Sequence, residues 1–322
     1  MAMNTSKNQF NIRRGAVIHG KWHKQAYLVE RTLGQGATGT VYLVNGMDGA
    51  AALKFSNPLS ITAEMNVLKA FAKVQGSSLG PSLLDADDWE NSYGVHPFYV
   101  MEYIQGPTLS AFIQARGSSW IGVLLLQLLE NLQALHEAGW IFGDIKPDNL
   151  IVSGPPYALR CVDVGGTTKM GRAVKEYTEF FDRGYWRAGS RKAEPSYDLF
   201  ATAMVAINLV YPERFSRNEE GIKQLEAKVR QKKELQAIAP VLIKALQGRY
   251  SAAQAMRKEL LAALSYEKKK SEQGHMRSAV RKTSGRVSLK QKKRKERGLY
   301  TLTVVLFVAV IYVLYVLTEL LI

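Results

Sequence analysis

The 322-residue chain is long enough for one large two-lobed domain or two small ones, and its 47% hydrophobic and 22% charged residues are ordinary for a globular protein. Its net charge of +15 is not ordinary, since residues 267–298 hold 13 Lys or Arg against three Glu, a surplus of +10. Such a stretch favours polyanionic partners, namely acidic lipid headgroups or nucleic acid. The single cysteine, Cys161, excludes an internal disulfide, and the polar N-terminus lacks the apolar run of a signal peptide.

The N-terminal part of the chain is predicted to be rich in β-strand. The apolar and β-branched runs cover residues 27–29, 40–44 and 51–55. A turn with Gly34, Gly36 and Gly39 separates the first two runs, and such a turn lets backbone N–H groups approach phosphate oxygens. Because a β-branched run follows the turn, a hairpin that covers a nucleotide is favoured over a dinucleotide-binding turn. Lys54 lies near the end of the third run, where it could equally be a surface lysine at a strand edge.

The remainder of the chain up to about residue 265 is predicted to be mainly helical. Residues 119–137 carry leucine and isoleucine at helical spacing, and the pattern beyond about residue 197 is also helical. His136, at the end of the first of these helices, is interpreted as a structural residue rather than a general base. The expected domain therefore has a strand-rich first part and a helical second part.

One short segment carries the strongest chemical signal. Asp144, Lys146 and Asn149 supply a carboxylate, a cation and an amide oxygen within six residues. Phosphoryl transfer needs a carboxylate that orients the attacking hydroxyl, a cation near the γ-phosphate and oxygen ligands for Mg²⁺. Residues 150–162 are predicted to form a hairpin, which would return Asp163 to the side of Asn149 and bring two oxygen ligands together.

Residues 266–298 are predicted to form a basic linker, because they are poor in apolar residues and rich in Lys, Arg, Ser and Gly. Its polyanion-binding residues are Lys268, Lys269, Lys270, Arg277, Arg281, Lys282, Arg286, Lys290, Lys292, Lys293, Arg294, Lys295 and Arg297. Acidic phospholipid explains the cluster nearest the C-terminus, since each Lys or Arg near an acidic leaflet gains about 1 kcal/mol. The more distant basic residues alternate with Ser and Thr and suit contacts with DNA phosphates. Both partners stay open from these residues.

Residues 299–322 are predicted to form one transmembrane helix. Glu319 is their only charged residue, and 24 residues at about 1.5 Å each reach about 36 Å, enough for a hydrocarbon core of about 30 Å. A helix that is apolar on all sides would have nothing to bury it in solution. The basic run at 290–297 precedes this segment, so the positive-inside rule places the preceding residues in the cytoplasm. We expect a single-pass protein of the cell membrane.

Taken in order, these motifs resemble those of the eukaryotic-like, or Hanks-type, serine/threonine protein kinases over residues 26–265. The basic linker and the terminal apolar segment, without an outer domain, resemble the short tail-anchored YabT-type kinases of spore-forming bacteria. The resemblance implies an α+β, two-lobed protein-kinase-like fold, ATP and Mg²⁺ as cofactors, cytosolic protein substrates and DNA as an activating ligand. The implied organisation is an N-terminal extension (1–25), an N-lobe (26–105), a C-lobe (106–265), the linker (266–298) and the transmembrane helix (299–322).

The same resemblance implies a role for each site residue. Lys54 would hold the ATP phosphates and pair with a helix glutamate, assigned to Glu64. Asp144 would be the catalytic base, with Lys146 beside it as in serine/threonine rather than tyrosine kinases. The metal ligands would be Asn149 and Asp163. The ATP-binding residues would be Gly34, Gly36, Gly39, Val41, Ala52, Lys54, the gatekeeper Met101 and the hinge residues Glu102 and Tyr103.

The chain departs from the family pattern at three places. The His-Arg pair before the catalytic base is Phe142-Gly143, so no arginine stands there to bind a phosphorylated activation loop. The Phe of the metal-binding motif is Val164, and the Ala-Pro-Glu segment falls on 184–186, which lacks the glutamate although its partner Arg249 is present. Two alternatives therefore stay open: a kinase-fold enzyme for a small molecule and an inactive ATP-binding scaffold at the membrane. A protein that only binds nucleic acid would not need the metal ligands.

Overall fold

The computed structural model describes residues 11–36, 39–73, 79–174 and 176–269. The strands are β1 (Val17–His19), β2 (Ala26–Gly36), β3 (Gly39–Gly46), β4 (Gly49–Ser56), β5 (Leu83–Asn91), β6 (Gly94–Glu102), β7 (Trp140–Ile141), β8 (Leu150–Ser153), β9 (Ala158–Cys161) and β10 (Thr168–Lys169). The helices are α1 (Pro58–Lys73), α2 (Leu109–Arg116), α3 (Trp120–Glu137), α4 (Pro195–Val210), α5 (Ile222–Gln231), α6 (Ala239–Leu246) and α7 (253–269). The prediction of a strand-rich first part and a mainly helical second part is confirmed.

The N-lobe is an antiparallel sheet with the strand order β1-β2-β3-β4-β6-β5. Successive residues of a strand face opposite sides of the sheet, so β4 contributes to two cores. Leu53 and Phe55 pack into a small cluster on one side of the sheet, whereas Ala52 packs into the main core with Leu68 of α1. Lys54 shares the side of Ala52, and this alternation points its side chain towards α1.

The described part of the predicted N-terminal extension joins this sheet. Val17 pairs with Leu28 at its edge, and the buried carboxylate of Asp87 accepts the backbone N–H groups of Trp22 (2.9 Å) and His23 (2.8 Å). The sheet thus includes residues before position 26, where the sequence places the start of the N-lobe. A three-residue edge strand is too short to give a periodic signal, which is why the sequence did not reveal it.

The C-lobe is built around two helices, α3 and α4. Every residue of α4 from Tyr197 to Asn208 is buried, and the leucines of α3 at helical spacing pack into the same core. The hairpin predicted after the catalytic segment is present as β8 and β9, in which Leu150 pairs with Cys161. This packed helical body supports the loops that carry the chemistry.

The chain divides into two units between Leu264 and Ser265, one residue from the predicted start of the linker. Lys268 and Lys269 are exposed residues of α7, so the described helix extends into the predicted linker. The basic residues from Lys270 onward and the predicted transmembrane helix at 299–322 lie outside the described residues. No helix within the described ranges is both long and apolar enough to cross a membrane.

Candidate active site

A cleft of about 520 Å³ opens beneath the Gly-rich hairpin of β2 and β3. Its lining includes every residue predicted to bind ATP: Gly34, Gly36, Gly39, Val41, Ala52, Lys54, Met101, Glu102 and Tyr103. Ile104, Ile151 and Val162 also line it and were not predicted. The volume lies in the range of small-molecule sites, and the apolar walls suit a flat base.

A buried ion pair closes the inner end of the cleft. Lys54 Nζ lies 2.7 Å from Glu64 Oε2 and 3.7 Å from Asp163 Oδ1, and the Lys54 and Glu64 side chains are only 5% and 3% exposed. The Tyr99 hydroxyl donates to the same Glu64 oxygen at 2.5 Å. Burial, and then the Glu64 carboxylate, raise the pKa of Tyr99 far above its usual value, so the hydroxyl stays a donor. Tyr99 faces Lys54 across β4 and β6, a register that the sequence did not reveal.

One buried aspartate holds the catalytic loop, residues 142–149, in place. Asp198 of α4 accepts the backbone N–H groups of Phe142 (2.8 Å) and Gly143 (2.9 Å) and bonds to His136 Nε2 (2.9 Å). The structural interpretation of His136 is confirmed by this contact and by its burial. A negative charge with three hydrogen-bond donors around it is well compensated in the core.

Asp144 lies at the centre of a small polar network. Lys146 Nζ donates to its Oδ2 at 2.5 Å, and the amide of Asn149 donates to its backbone carbonyl at 3.0 Å. Thr178 donates both its backbone N–H and its hydroxyl to Asp144 Oδ1, each at 3.0 Å, and its hydroxyl accepts from Lys146 at 3.2 Å. Sequence reasoning missed Thr178, because it lies far along the chain in a segment without regular structure.

The two predicted metal ligands lie where the β8–β9 hairpin closes. The Val162 N–H donates to the Asn149 carbonyl at 3.0 Å, which places Asp163 one residue beyond that junction. Asp163 is half-exposed towards the cleft. In the described ranges no three His, Cys, Asp or Glu side chains are placed to hold a metal together. Mg²⁺ typically takes one or two protein oxygens and completes its shell with water and phosphate, so Asn149 and Asp163 fit an ion that enters with a nucleotide.

Glu176 is a third carboxyl group at this end of the cleft. Its Oε2 and the Asp163 Oδ1 are both 3.3 Å from the point that a Cβ on Gly165 would occupy. Although Glu176 keeps substantial solvent exposure, partial burial of its carboxyl group raises its pKa, and the charges of Asp163 and Glu64 raise it further. The segment carrying Glu176 and Thr178 thus lies directly against the predicted metal ligands and base.

The hinge is tied to the C-lobe by its glutamate. The Glu102 carboxylate accepts from both terminal nitrogens of Arg160, at 3.0 and 2.9 Å, and the Glu102 N–H donates to the Ser82 carbonyl at 2.9 Å. The hydrogen bonds from Arg160 lower the pKa of Glu102. The backbone N–H of Glu102 is therefore engaged within the protein, whereas Tyr103 and Ile104 follow it along the cleft.

Aromatic packing occupies the place of the missing glutamate. Trp186 is fully buried, its indole N–H donates to the Phe180 carbonyl at 2.8 Å, and its ring packs against Phe180 and Phe215. Arg249 is exposed and has no carboxylate within 4.0 Å among the residues that the structure describes. Trp186 thus makes aromatic contacts at the position where the family uses an ion pair, while Asp182 and Arg183 beside it form ion pairs of their own.

Comparison with known proteins agrees with this geometry. The protein kinase domain model matches residues 27–276. The chain is 45% identical to the serine/threonine-protein kinase YabT of Bacillus subtilis (strain 168), over 95% of both proteins. It is 32% identical over 39% of its length to the serine/threonine-protein kinase PknL of Mycobacterium tuberculosis, and 25% identical over 52% to the cyclin-dependent kinase G-2 of Oryza sativa. These two alignments cover 33% and 24% of the respective relatives.

Proposed function

Since this chain belongs to the protein kinase family and is a serine/threonine protein kinase of the bacterial Hanks type, we propose that it works at the membrane and that its basic linker regulates it by binding DNA. The family match and the similarity to YabT along nearly the whole chain show the enzyme class. The residue roles, the anchor, the DNA ligand and the choice of cytosolic protein substrates are parts of the proposal.

The assembled catalytic set is the observation that supports the residue roles. Lys54, paired with Glu64, would orient the α- and β-phosphates of ATP from the inner end of the cleft. Asp144 would accept the proton of the substrate Ser or Thr hydroxyl, while Lys146 balances charge at the transferred phosphate. Bound Mg²⁺ would supply charge neutralisation at the phosphates, held by Asn149 and Asp163.

The two alternative functions have less support. Burying two charges costs free energy, so the buried Lys54–Glu64 pair beside Asp163 indicates a role for it. An inactive scaffold would not require this pair. The altered segment at 184–186 is the feature that favours a small-molecule kinase. That segment is packed and continuous with Thr178 at the base, as a surface for a polypeptide requires.

The regulatory part of the proposal follows from the charge of the linker. Its Lys and Arg residues interleaved with Ser and Thr suit sequence-independent contacts with the DNA backbone. Such binding should weaken steeply with salt, with log K falling by about 0.9 per phosphate contact for each tenfold rise in salt. Residues 299–322 would hold the enzyme in the membrane with its catalytic domain in the cytoplasm.

The decisive experiment measures transfer of labelled phosphate from ATP to a general protein substrate, without additions, with random duplex DNA, and with acidic vesicles. We expect stimulation by DNA that disappears at high salt. A gel shift with DNA compares residues 1–298 with a shorter chain ending at Tyr266. Equal binding by both would place the DNA site on the kinase domain, and no binding by either would leave the linker to acidic lipid.

A further inference from the structure

The segment between α4 and α5, residues 211–221, contacts both the residues after Thr178 and the loop that carries the base. Its Phe215 packs edge-to-face on Phe180, with ring centroids 5.2 Å apart, so it lies against the residues that follow Thr178. Because Thr178 contacts Asp144, we take this segment as the border of the path by which a polypeptide hydroxyl would reach Asp144. The residues predicted to bind ATP line the cleft on the opposite side.

Arg214 of this segment reaches back to the catalytic loop. Its Nη2 lies 3.1 Å from Asp148 Oδ2, and its guanidinium lies over the Phe181 ring, 5.2 Å from the centroid. Asp148 is only two residues from Lys146 and is one of the residues that line the cleft. Arg214 therefore neutralises a carboxylate that could otherwise bind a basic residue of a substrate. Both side chains are exposed, 43% and 66%, so the guanidinium keeps donors available to an incoming ligand.

Arg217 adds a second positive charge on the same border. It donates to the Tyr185 carbonyl and lies over the Tyr185 ring, 5.1 Å from the centroid. Both are uncharged partners, and within the described ranges no carboxylate lies within 4.0 Å of this arginine. The segment also contains Glu213, Glu219 and Glu220, but the described side-chain contacts to the catalytic loop and to 178–186 come from the two arginines and from Phe215.

From this arrangement we infer that Arg214 and Arg217 make the enzyme select polypeptide substrates with acidic residues beside the phosphorylated Ser or Thr. The inference rests on the protein kinase activity and adds a substrate class to it. A carboxylate beside the phosphoacceptor meets one guanidinium that already holds a carboxylate and one that holds none. A Lys or Arg at the same place meets like charge and must displace Arg214 from Asp148 to find a partner.

The test uses the 322-residue chain and three peptides that share one Ser and differ only in whether its neighbours are Glu, Gln or Lys. An exposed ion pair changes a binding constant by about two- to fivefold. The kcat/KM of the Glu peptide should therefore exceed that of the Gln peptide by at least this factor, and the Lys peptide should have the lowest kcat/KM. Arg214→Gln should lower the Glu/Gln ratio about two- to fivefold through the peptide KM, with the ATP KM unchanged. Arg214→Glu should reverse the order of the Glu and Lys peptides.

Asp148→Asn distinguishes a role of Arg214 in substrate selection from a purely structural role of the Arg214–Asp148 pair. Releasing Arg214 from its carboxylate should raise the Glu/Gln ratio, opposite to the effect of Arg214→Gln, whereas loss of a purely structural pair would shift the ratio the same way from either side. Arg257→Gln is the matched control, because Arg257 also makes a 3.1 Å pair, with Glu130, and lies outside this border. The Glu/Gln ratio of Arg257→Gln should equal that of the unmodified chain.

Three results would overturn the inference: equal use of the three peptides, preference for the Lys peptide, or an unchanged ratio in both Arg214 variants. Transfer to the chain itself without transfer to any peptide would also count against it, because the acidic peptide carries the feature proposed to suffice. Absence of transfer to the chain, the peptides and a general protein substrate would instead refute the kinase activity. Failure of the inference and failure of the activity are thus distinguished.

Discussion

Gly143, which stands where the family has arginine, is expected to be required by the backbone itself. Its φ is +86°, and a Cβ built on it would lie 2.5 Å from the Gly166 carbonyl oxygen, where real Cβ contacts stay above about 3.0 Å. Gly143→Ala must therefore move one of the two loops by about 0.5 Å. The loops are those of Asp144 and of Asp163, so the displacement separates the base from a metal ligand.

The magnitude follows from a comparison with Gly139, whose φ of +82° is nearly the same but whose Cβ would meet nothing within 4 Å. Gly139→Ala should cost only the left-handed strain, about 1–2 kcal/mol in the free energy of unfolding, and should keep activity. Gly143→Ala should cost that plus about 1–3 kcal/mol of overpacking. Its kcat should also fall at least tenfold, which corresponds to about 1.4 kcal/mol in the barrier.

Both variants are measured in the chain ending at residue 298, by urea unfolding and by autophosphorylation with labelled ATP. Equal losses of stability in the two variants, or full activity of Gly143→Ala, would refute the collision with Gly166 as the cause. Gly143→Arg should be at least as damaging as Gly143→Ala. Phosphorylation of the activation segment (residues 166–183, between the metal-binding motif and the altered segment at 184–186) should not rescue it, since the defect lies in the backbone.

The remaining predictions concern the base, the lysine, the anchor and pH. Asp144→Asn should lower phosphate transfer by about 10²–10⁴-fold without loss of stability. Lys54→Ala should abolish transfer and also lower the unfolding free energy by about 3–5 kcal/mol, because it leaves the buried Glu64 carboxylate without its partner. Nearly full activity of Lys54→Ala in the presence of Mg²⁺ would contradict the proposed site. Deleting residues 299–322 should release an active protein from the membrane fraction, and recovery of the truncated protein with membranes after a high-salt wash would argue against the anchor. The lowered pKa of Glu102 means that its bond to Arg160 stabilises fully above the ordinary value of 4.5 and is lost as pH falls through the folded value. Arg160→Gln should therefore reduce the loss of urea stability as pH falls below about 4.5, and an unchanged acid profile would exclude that role.

Much of the fold could be predicted because strong local signals agreed with the final packing. The β-branched runs became β2, β3 and β4, and the leucine spacing of residues 119–137 became α3. The hairpin after Asn149 could be predicted from a turn between two apolar runs, and it brings Asp163 back to the loop as expected. The edge strand β1 could not be predicted, because three residues carry no periodicity and its register depends on pairing with β2.

The contacts that the sequence did not reveal are those made by tertiary packing. Tyr99 bonds to Glu64 only because β4 and β6 are neighbours, and Thr178 reaches Asp144 only because the segment after the metal loop folds back. Sequence could show that a glutamate is missing at 184–186, but not that Trp186 fills the space with an aromatic cluster. A few apolar residues in an irregular segment show no periodicity, so such packing cannot be derived from the sequence.

The position of the activation segment bears on how the enzyme is controlled. Its contacts near the base need no phosphate: Thr178 bonds to Asp144, the buried Asp182 pairs with Arg191 at 2.7 Å, and Arg183 pairs with Glu194 at 2.7 Å. Gly143 offers no side chain to a phosphorylated residue, and its backbone accepts no arginine without strain. A phosphate on this segment would thus lack the partner that orders such loops in the family. Control by a ligand that binds outside the segment, as proposed for the basic linker, requires no such partner.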